Sequence, residues 1–271
     1  MPDLYLNITD QPEDVLEAIA QSMDKRAREP AMREICKRYM SGLHRPDADV
    51  LEIGCGNGAS TSLLLENLEP RQFTGVDPSK GLLHRARSRF SGEEGVQFCC
   101  GDALATGQND ESFDTVIAHT VFSHLSDPQG ALTEAFRVLR PGGKLAIFDG
   151  DYATNTVALF EGDPLQAAMT TTQRNLIHDP YVMRKLPSLI RSAGFAVSET
   201  LAHGYIQTDS PEYLTSLVER GVSAAVVAGD CGSQLAEGFN AEVYRRTENG
   251  TFYGAILFVT IIAEKPGAKR A

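Results

Sequence analysis

The chain has 271 residues, 42% hydrophobic and 23% charged, with a formal net charge of -11 and a sequence pI near 5.0. This composition excludes a disordered or fibrous chain, and the length suits one large α/β domain with a buried core. The acidic balance argues against a nucleic-acid partner, because phosphates are held by clustered Lys and Arg, and the densest basic stretch, Lys80 to Arg89, reads as the solvated face of a helix.

Met32, Ile35, Cys36, Tyr39, Met40 and Leu43 recur at spacings of three, four and seven, which predicts an amphipathic helix over Pro30 to Leu43. After Pro46 the pattern changes. Val50 to Ile53 is a short apolar run that ends at glycines and leads directly into a helix, Ala59 to Leu68. Gln72 to Asp77 reads as a strand and Ser79 to Phe90 as a helix. Val96 to Cys100 is a third strand, followed by a Gly-, Asn- and Asp-rich loop from Gly101 to Asp110. Phe113 to Ala118 is a fourth strand. Ser126-Asp127-Pro128 supplies an N-cap and a first-turn proline for a helix that Arg140-Pro141-Gly142-Gly143 stops. Lys144 to Phe148 makes a fifth strand.

Beyond it the rhythm loosens, and Asp151 to Pro180 reads as a cover over a site rather than as a regular element. A helix over Tyr181 to Ala193, a strand near Ala196 to Ile206, and helices over Pro211 to Ala228 and Ser233 to Arg246 follow. A β-branched and aromatic strand, Phe252 to Ala263, closes the chain after Asn249-Gly250. Strands alternating with helices at this spacing imply βαβ crossovers and a mostly parallel sheet covered on both faces.

The first ten residues lack a basic stretch followed by an apolar one, so no secretory leader is expected. The longest apolar run, Ala255 to Ala263, is strand-sized, which argues against membrane insertion. Five cysteines (Cys36, Cys55, Cys99, Cys100 and Cys231), odd in number and irregularly spaced, point to reduced thiols in a cytoplasm and to no metal site. Val218 to Ala228 is apolar enough to serve either the core or contact with a second copy, leaving a homo-oligomer open.

The most specific stretch is Val50-Leu51-Glu52-Ile53-Gly54-Cys55-Gly56-Asn57-Gly58, where a buried strand turns sharply into a helix through closely spaced glycines. Asp77, ending the second strand in Gly75-Val76-Asp77-Pro78-Ser79, can accept from both hydroxyls of a ribose. Together they imply an adenosine-containing cofactor at the carboxyl ends of the strands. They fit a nicotinamide dinucleotide and S-adenosylmethionine alike, and a nicotinamide-dependent oxidoreductase therefore stays open on these two features alone.

Three further features narrow the choice: Gly101-Asp102-Ala103 after the third strand, Phe113 to His119 at the fourth, and Arg137-Val138-Leu139-Arg140-Pro141-Gly142-Gly143-Lys144-Leu145 before the fifth. In this order the motifs resemble the class I S-adenosylmethionine-dependent methyltransferases, small-molecule branch, including the ubiquinone and menaquinone biosynthesis enzymes. The resemblance is close from Val50 to Asp149 and general elsewhere.

It implies a Rossmann-like seven-stranded sheet with helices on both faces, the last strand antiparallel beside the fifth. One methyltransferase domain is expected, with an N-terminal helical cap (1–45), a cofactor-binding core (48–150), a lid and substrate region holding the sixth strand (151–250) and the final strand (251–263). Gly54, Cys55 and Gly56 would bring backbone to the methionine moiety. Asp77 would hold the ribose, Pro78 or Ser79 would lie beside the adenine, and Asp102 would take the adenine amino group with Ala103 packed nearby. His119, Thr120 and Phe122 would lie near the sulfonium, and Arg26, ahead of the alternative Arg28, would clamp the cofactor carboxylate. His119 and Asp151 are the candidate catalytic groups, the latter as the polar contact to substrate; Phe160, Met169 and Met183 are candidate pocket walls. The implied reaction converts S-adenosylmethionine to S-adenosylhomocysteine and methylates a small organic acceptor on C, O or N. A catalytically silent module of the same fold, or an RNA or protein acceptor, are the competing readings.

Overall fold

A computed structural model describes residues 3–208 and 211–267, apart from the side chain of residue 172. A short 3-10 segment, Leu4–Asp10, precedes two helices, α1 (Glu13–Arg28) and α2 (Pro30–Met40). The core then alternates: β1 (Asp49–Ile53), α3 (Ala59–Leu68), β2 (Gln72–Asp77), α4 (Lys80–Arg89), β3 (Val96–Cys100), β4 (Phe113–His119), α5 (Pro128–Val138) and β5 (Leu139–Thr156). A second 3-10 turn, Phe122–His124, links β4 to α5. The chain continues through α6 (Pro164–Leu176), α7 (Val182–Ser192), β6 (Ala196–Gln207), α8 (Glu212–Ala228), α9 (Ser233–Glu248) and β7 (Gly254–Glu264).

The strands form one seven-stranded sheet in the order β3-β2-β1-β4-β5-β7-β6. The pairings of β1, β2, β3, β4 and β5 are parallel, whereas β7 runs antiparallel between β5 and β6. Every residue of β1 and β4 is buried, as expected of parallel strands covered on both faces. Side chains alternate between the two faces. Ile117, Ala146, Phe148 and Phe258 pack with α2, α3, α6 and α8, while Leu51, Val116, Ile147 and Ile261 pack with α5 and α7. The strand order reverses between β1 and β4, and at such a switch point a crevice opens beyond the carboxyl ends of the strands.

Two elements depart from the expectations. β5 extends to Thr156 rather than ending at Phe148, because β7 keeps pairing along it through Asp151 with Leu257 and Thr156 with Ala255. The added residues include buried Asp149, Asp151 and Asn155, so no apolar alternation marks them. The stretch expected to be an irregular cover contains α6, whose start is set by Asp163 accepting from the Leu165 N–H at 3.0 Å with Pro164 in the first turn.

Glu52 is buried within β1 and accepts from the hydroxyls of Ser60, at 2.6 Å, and Thr61, tying the strand to the first turn of α3. Burial pushes its carboxyl up from 4.5 to about 7. The native state then holds this proton more tightly than the unfolded chain between those values, so stability falls as pH rises through that window. Glu52→Gln is expected to flatten the dependence by roughly 1–3 kcal/mol between acidic and neutral pH. Urea unfolding of both proteins at pH 5 and pH 8 checks this, and parallel pH dependences would refute it.

Candidate functional site

The turn after β1 is built around Asp77. Gly54 and Gly56 have φ of +72° and +53°, backbone that side-chain-bearing residues rarely adopt. The N–H groups of Gly54 and Cys55 both donate to the carbonyl of Val76, at 2.7 and 3.1 Å. The Gly56 N–H donates to Oδ2 of Asp77 at 2.9 Å and the Ser79 N–H to Oδ1 at 2.8 Å. The carboxylate is thereby fixed at the carboxyl end of β2. Burial raises it from 3.8 to about 6, with the two N–H donors pulling the other way.

Asp77 borders a cleft of about 660 Å³ whose walls include Gly54, Pro78, Asp102, Ala103 and Thr120. Asp102 projects at its rim, with Oδ1 accepting from the Leu104 N–H at 2.8 Å. Residues with no motif close the cleft from outside: Tyr5 and Ile8 from the first 3-10 segment, Met23 from α1, and Val121, His124 and Leu125 from the turn after β4. The Val121 side chain fills the space beside Gly54, where an added Cβ would lie 2.5 Å from it.

At the opposite end Arg26, Cys55, His119 and Thr120 border a small recess continuous with the Gly54 wall. Thr120 has φ +58°, strained for a β-branched residue. It is held there by its N–H to the Phe148 carbonyl at 2.6 Å and its hydroxyl to the His119 carbonyl at 2.7 Å. The His119 ring lies 4.6 Å from that of Phe148, and its Nδ1 is 2.9 Å from the Tyr39 hydroxyl. Burial, aided by Arg26, keeps His119 well below the ordinary imidazole range, so it is neutral. Arg26 borders both this recess and a third cavity of about 500 Å³. That cavity shares Tyr5, Met23 and His124 with the cleft and adds Tyr152, Tyr213 and Arg220.

Several expected residues sit elsewhere. Phe122 is fully buried against Ala118 and the α5–α7 core rather than at the cleft, because the 3-10 turn rotates it inward and presents Val121 instead. The Ser79 hydroxyl caps α4 through the Leu82 N–H at 3.3 Å, leaving Pro78 on the cleft wall. Gly56 gives its N–H to Asp77 and lines none of the three cavities. Asp151 faces α7 and pairs with Arg184 at 2.8 and 3.1 Å, outside all three cavities. Met169 and Met183 are core residues on opposite faces of the sheet, and Phe160 is exposed.

The glycines make a testable ranking. Gly54→Ala must both strain the backbone and displace the stiff Val121 side chain, at an expected cost of about 2–4 kcal/mol. Gly56→Ala meets only the flexible end of Met23, 2.9 Å from its Sδ, and is expected to cost about 1–2 kcal/mol. Thermal unfolding orders the two, and a milder Gly54 variant would contradict this packing.

The family model described as a methyltransferase domain matches residues 51–147, the segment running from β1 into β5. Residues 51–147 thus match a methyltransferase domain. An uncharacterized 37.1 kDa protein from a Streptomyces fradiae transposon is 26% identical over 226 residues, covering 81% of this chain and 63% of that protein. A malonyl-[acyl-carrier protein] O-methyltransferase of Methylococcus capsulatus is 32% identical over 117 residues, covering 42% of each chain. The chain thus spans between 42% and 63% of the length of these two relatives. Among solved structures, a putative methyltransferase from Bacillus halodurans superposes with a TM-score of 0.60 at 16% identity, over 85% of this chain and 98% of that one. That similarity is one of fold. No helix among the described residues is long and apolar enough to cross a membrane.

Proposed function

We propose that the protein binds S-adenosylmethionine along the Asp77–Arg26 axis and transfers its methyl group to a small organic acceptor held in the adjoining cavity. The observation that carries this is the placement of complementary groups in a cleft and an adjoining recess that share Met23, Gly54 and Thr120. A buried carboxylate, Asp77, lies where a ribose diol would need an acceptor. A guanidinium, Arg26, without an ion-pair partner among the described residues, lies where an amino-acid carboxylate would need a cation. Pro78 and Ala103 give apolar walls for an adenine, and Asp102 at the rim can accept from its amino group.

When bound, S-adenosylmethionine supplies an already activated methyl group on a sulfonium. The protein's work is therefore mainly to orient the acceptor and exclude water, an effect worth roughly 7–11 kcal/mol in well-aligned systems. Met23 borders all three cavities, and Tyr5 closes both large ones, so the N-terminal segment and α1 form the wall that shields the junction.

His119 suits a lining role, since it is neutral and its Nδ1 is engaged by Tyr39. His124 is the better proton acceptor for a protic acceptor group. It borders both the cleft and the adjoining cavity, and its Nδ1 is paired with Oδ2 of buried Asp3. Such a carboxylate orients the ring and stabilises the imidazolium formed on proton uptake. Asp149, by contrast, is fully buried and saturated by Ser123 and Gly150.

Calorimetry with S-adenosylhomocysteine, followed by transfer of a radiolabelled methyl group into a small-molecule extract, tests this reading. Uptake of the nucleoside and label in a compound of low mass are expected. A well-folded protein that takes up neither donor nor product removes the reading, and one that binds but labels nothing is a silent module.

A further inference from the structure

The cavity next to the nucleoside cleft is unusually cationic for so acidic a chain. Its walls bring together Tyr5, Arg26, Tyr152, Tyr213 and Arg220 from four separate elements around about 500 Å³. The Nε of Arg220 is buried and has no hydrogen-bond partner, and no ion pair is formed by Arg220 or Arg26 among the described residues. A buried guanidinium donor without an acceptor is costly to maintain unless something else binds it.

The one carboxylate on these walls does not neutralise the pair. Asp3 is already the acceptor for the N–H groups of Tyr5 and His178, both at 3.0 Å, and for His124. The tyrosines add donors rather than charge, since burial pushes the phenols of Tyr5 and Tyr152 upward and keeps them protonated. If Arg26 serves the single carboxylate of the methyl donor, Arg220 is left facing the acceptor alone.

We infer that the methyl acceptor is an anion, a small molecule whose carboxylate is anchored by Arg220 with the neighbouring Tyr152 and Tyr213 hydroxyls. This rests on the reading of the adjoining cleft as the S-adenosylmethionine site. Arg220 lies on α8 and lines this cavity but not the cleft that holds Asp77, so it would select the acceptor without touching the nucleoside. A planar fork suits a carboxylate, which it can bind through two parallel bonds. A hydroxyl, amine or carbon elsewhere on the acceptor would then meet the methyl at the junction.

Benzoate and its neutral isostere benzamide probe the cavity directly, because they are alike in shape and differ mainly in charge. The protein saturated with S-adenosylhomocysteine is titrated with each, for the wild type and for Arg220→Gln and Arg220→Lys. Benzoate is expected to bind and benzamide to bind about 10–100-fold more weakly; Arg220→Gln should lose that preference, and Arg220→Lys should keep part of it, with nucleoside affinity unchanged in both variants. Equal binding of the two probes, no benzoate binding, or an undiminished preference in Arg220→Gln each overturns the anionic acceptor while leaving the donor site standing. A protein that fails to bind S-adenosylhomocysteine at the outset would instead remove the reading beneath it.

Discussion

Asp77→Ala is expected to weaken S-adenosylhomocysteine binding by about 10²–10⁴-fold. Two hydrogen bonds from ribose hydroxyls to a carboxylate contribute roughly 1.5–3 kcal/mol each, and each 1.4 kcal/mol is a factor of ten. The loss also reaches the turn itself, because the Gly56 and Ser79 N–H groups, now 2.9 and 2.8 Å from this carboxylate, would be left without acceptors. The ionised form is the one that accepts from hydroxyls, and burial has raised the group to about 6. Wild-type affinity should therefore be flat above pH 6 and fall below it, approaching tenfold per unit of pH, whereas Asp77→Asn should be weak and insensitive over the same range. Calorimetric titrations between pH 5 and pH 8 supply the measurement. Alanine binding as tightly as aspartate would show that the nucleoside lies elsewhere.

The largest expected effect on stability belongs to Arg246. Its guanidinium grips both oxygens of Asp163 at 2.8 Å, with side-chain exposures of 4% and 0%, and also donates to the Val157 carbonyl at 3.2 Å and to Glu242 at 2.7 Å. These bonds lock α9 to the end of β5 and to the start of α6, and the end of α6 supplies Leu176 to the wall of the acceptor cavity. Arg246→Ala leaves the Asp163 carboxylate buried without its partner, at an expected cost of about 3–5 kcal/mol. Asp163→Asn combined with Arg246→Met should cost clearly less, because no lone charge stays behind. The bond to Arg246 holds the Asp163 carboxyl down at about 2, below its usual 3.8. The pair therefore contributes fully above pH 4 and is lost as pH falls towards 2. Urea unfolding of the single and double variants decides the matter, and an Arg246→Ala protein within about 1 kcal/mol of wild type would contradict the assignment of a buried, unreplaced partner.

Much of the proposed donor end of the site was legible in the chain. Gly54, Asp77, Pro78, Asp102 and Ala103 all border one cleft, each at or just beyond the end of a strand that the apolar runs locate. Their positions follow from strand length and parallel register, which bring successive strand ends to one side of the sheet. Phe122 and Ser79 belong to the same segments, yet a single turn of 3-10 helix and a helix cap set their direction, and residue type alone does not encode that rotation. Asp151 illustrates a different loss. Its local context, an acid just past a core strand, suited a site, but β5 continues through it and α7 delivers Arg184, 33 residues onward, to neutralise it.

What the amino-acid order determined by itself was the periodic and the local: the alternation of buried strands and amphipathic helices, the positive-φ glycine turn, and the carboxylate two residues before a helix cap. These depend on backbone geometry over a few residues, where composition and spacing carry the signal. Only the tertiary structure decided the proposed acceptor end. Tyr5, Arg26, Tyr152, Tyr213 and Arg220 are separated by up to 215 positions and share no spacing, and they meet because the first 3-10 segment, α1 and α8 pack over the carboxyl edge of the sheet. Whether a distant arginine ends in solvent or in a cavity is fixed by which surfaces bury each other on folding, and no short window of sequence contains that information.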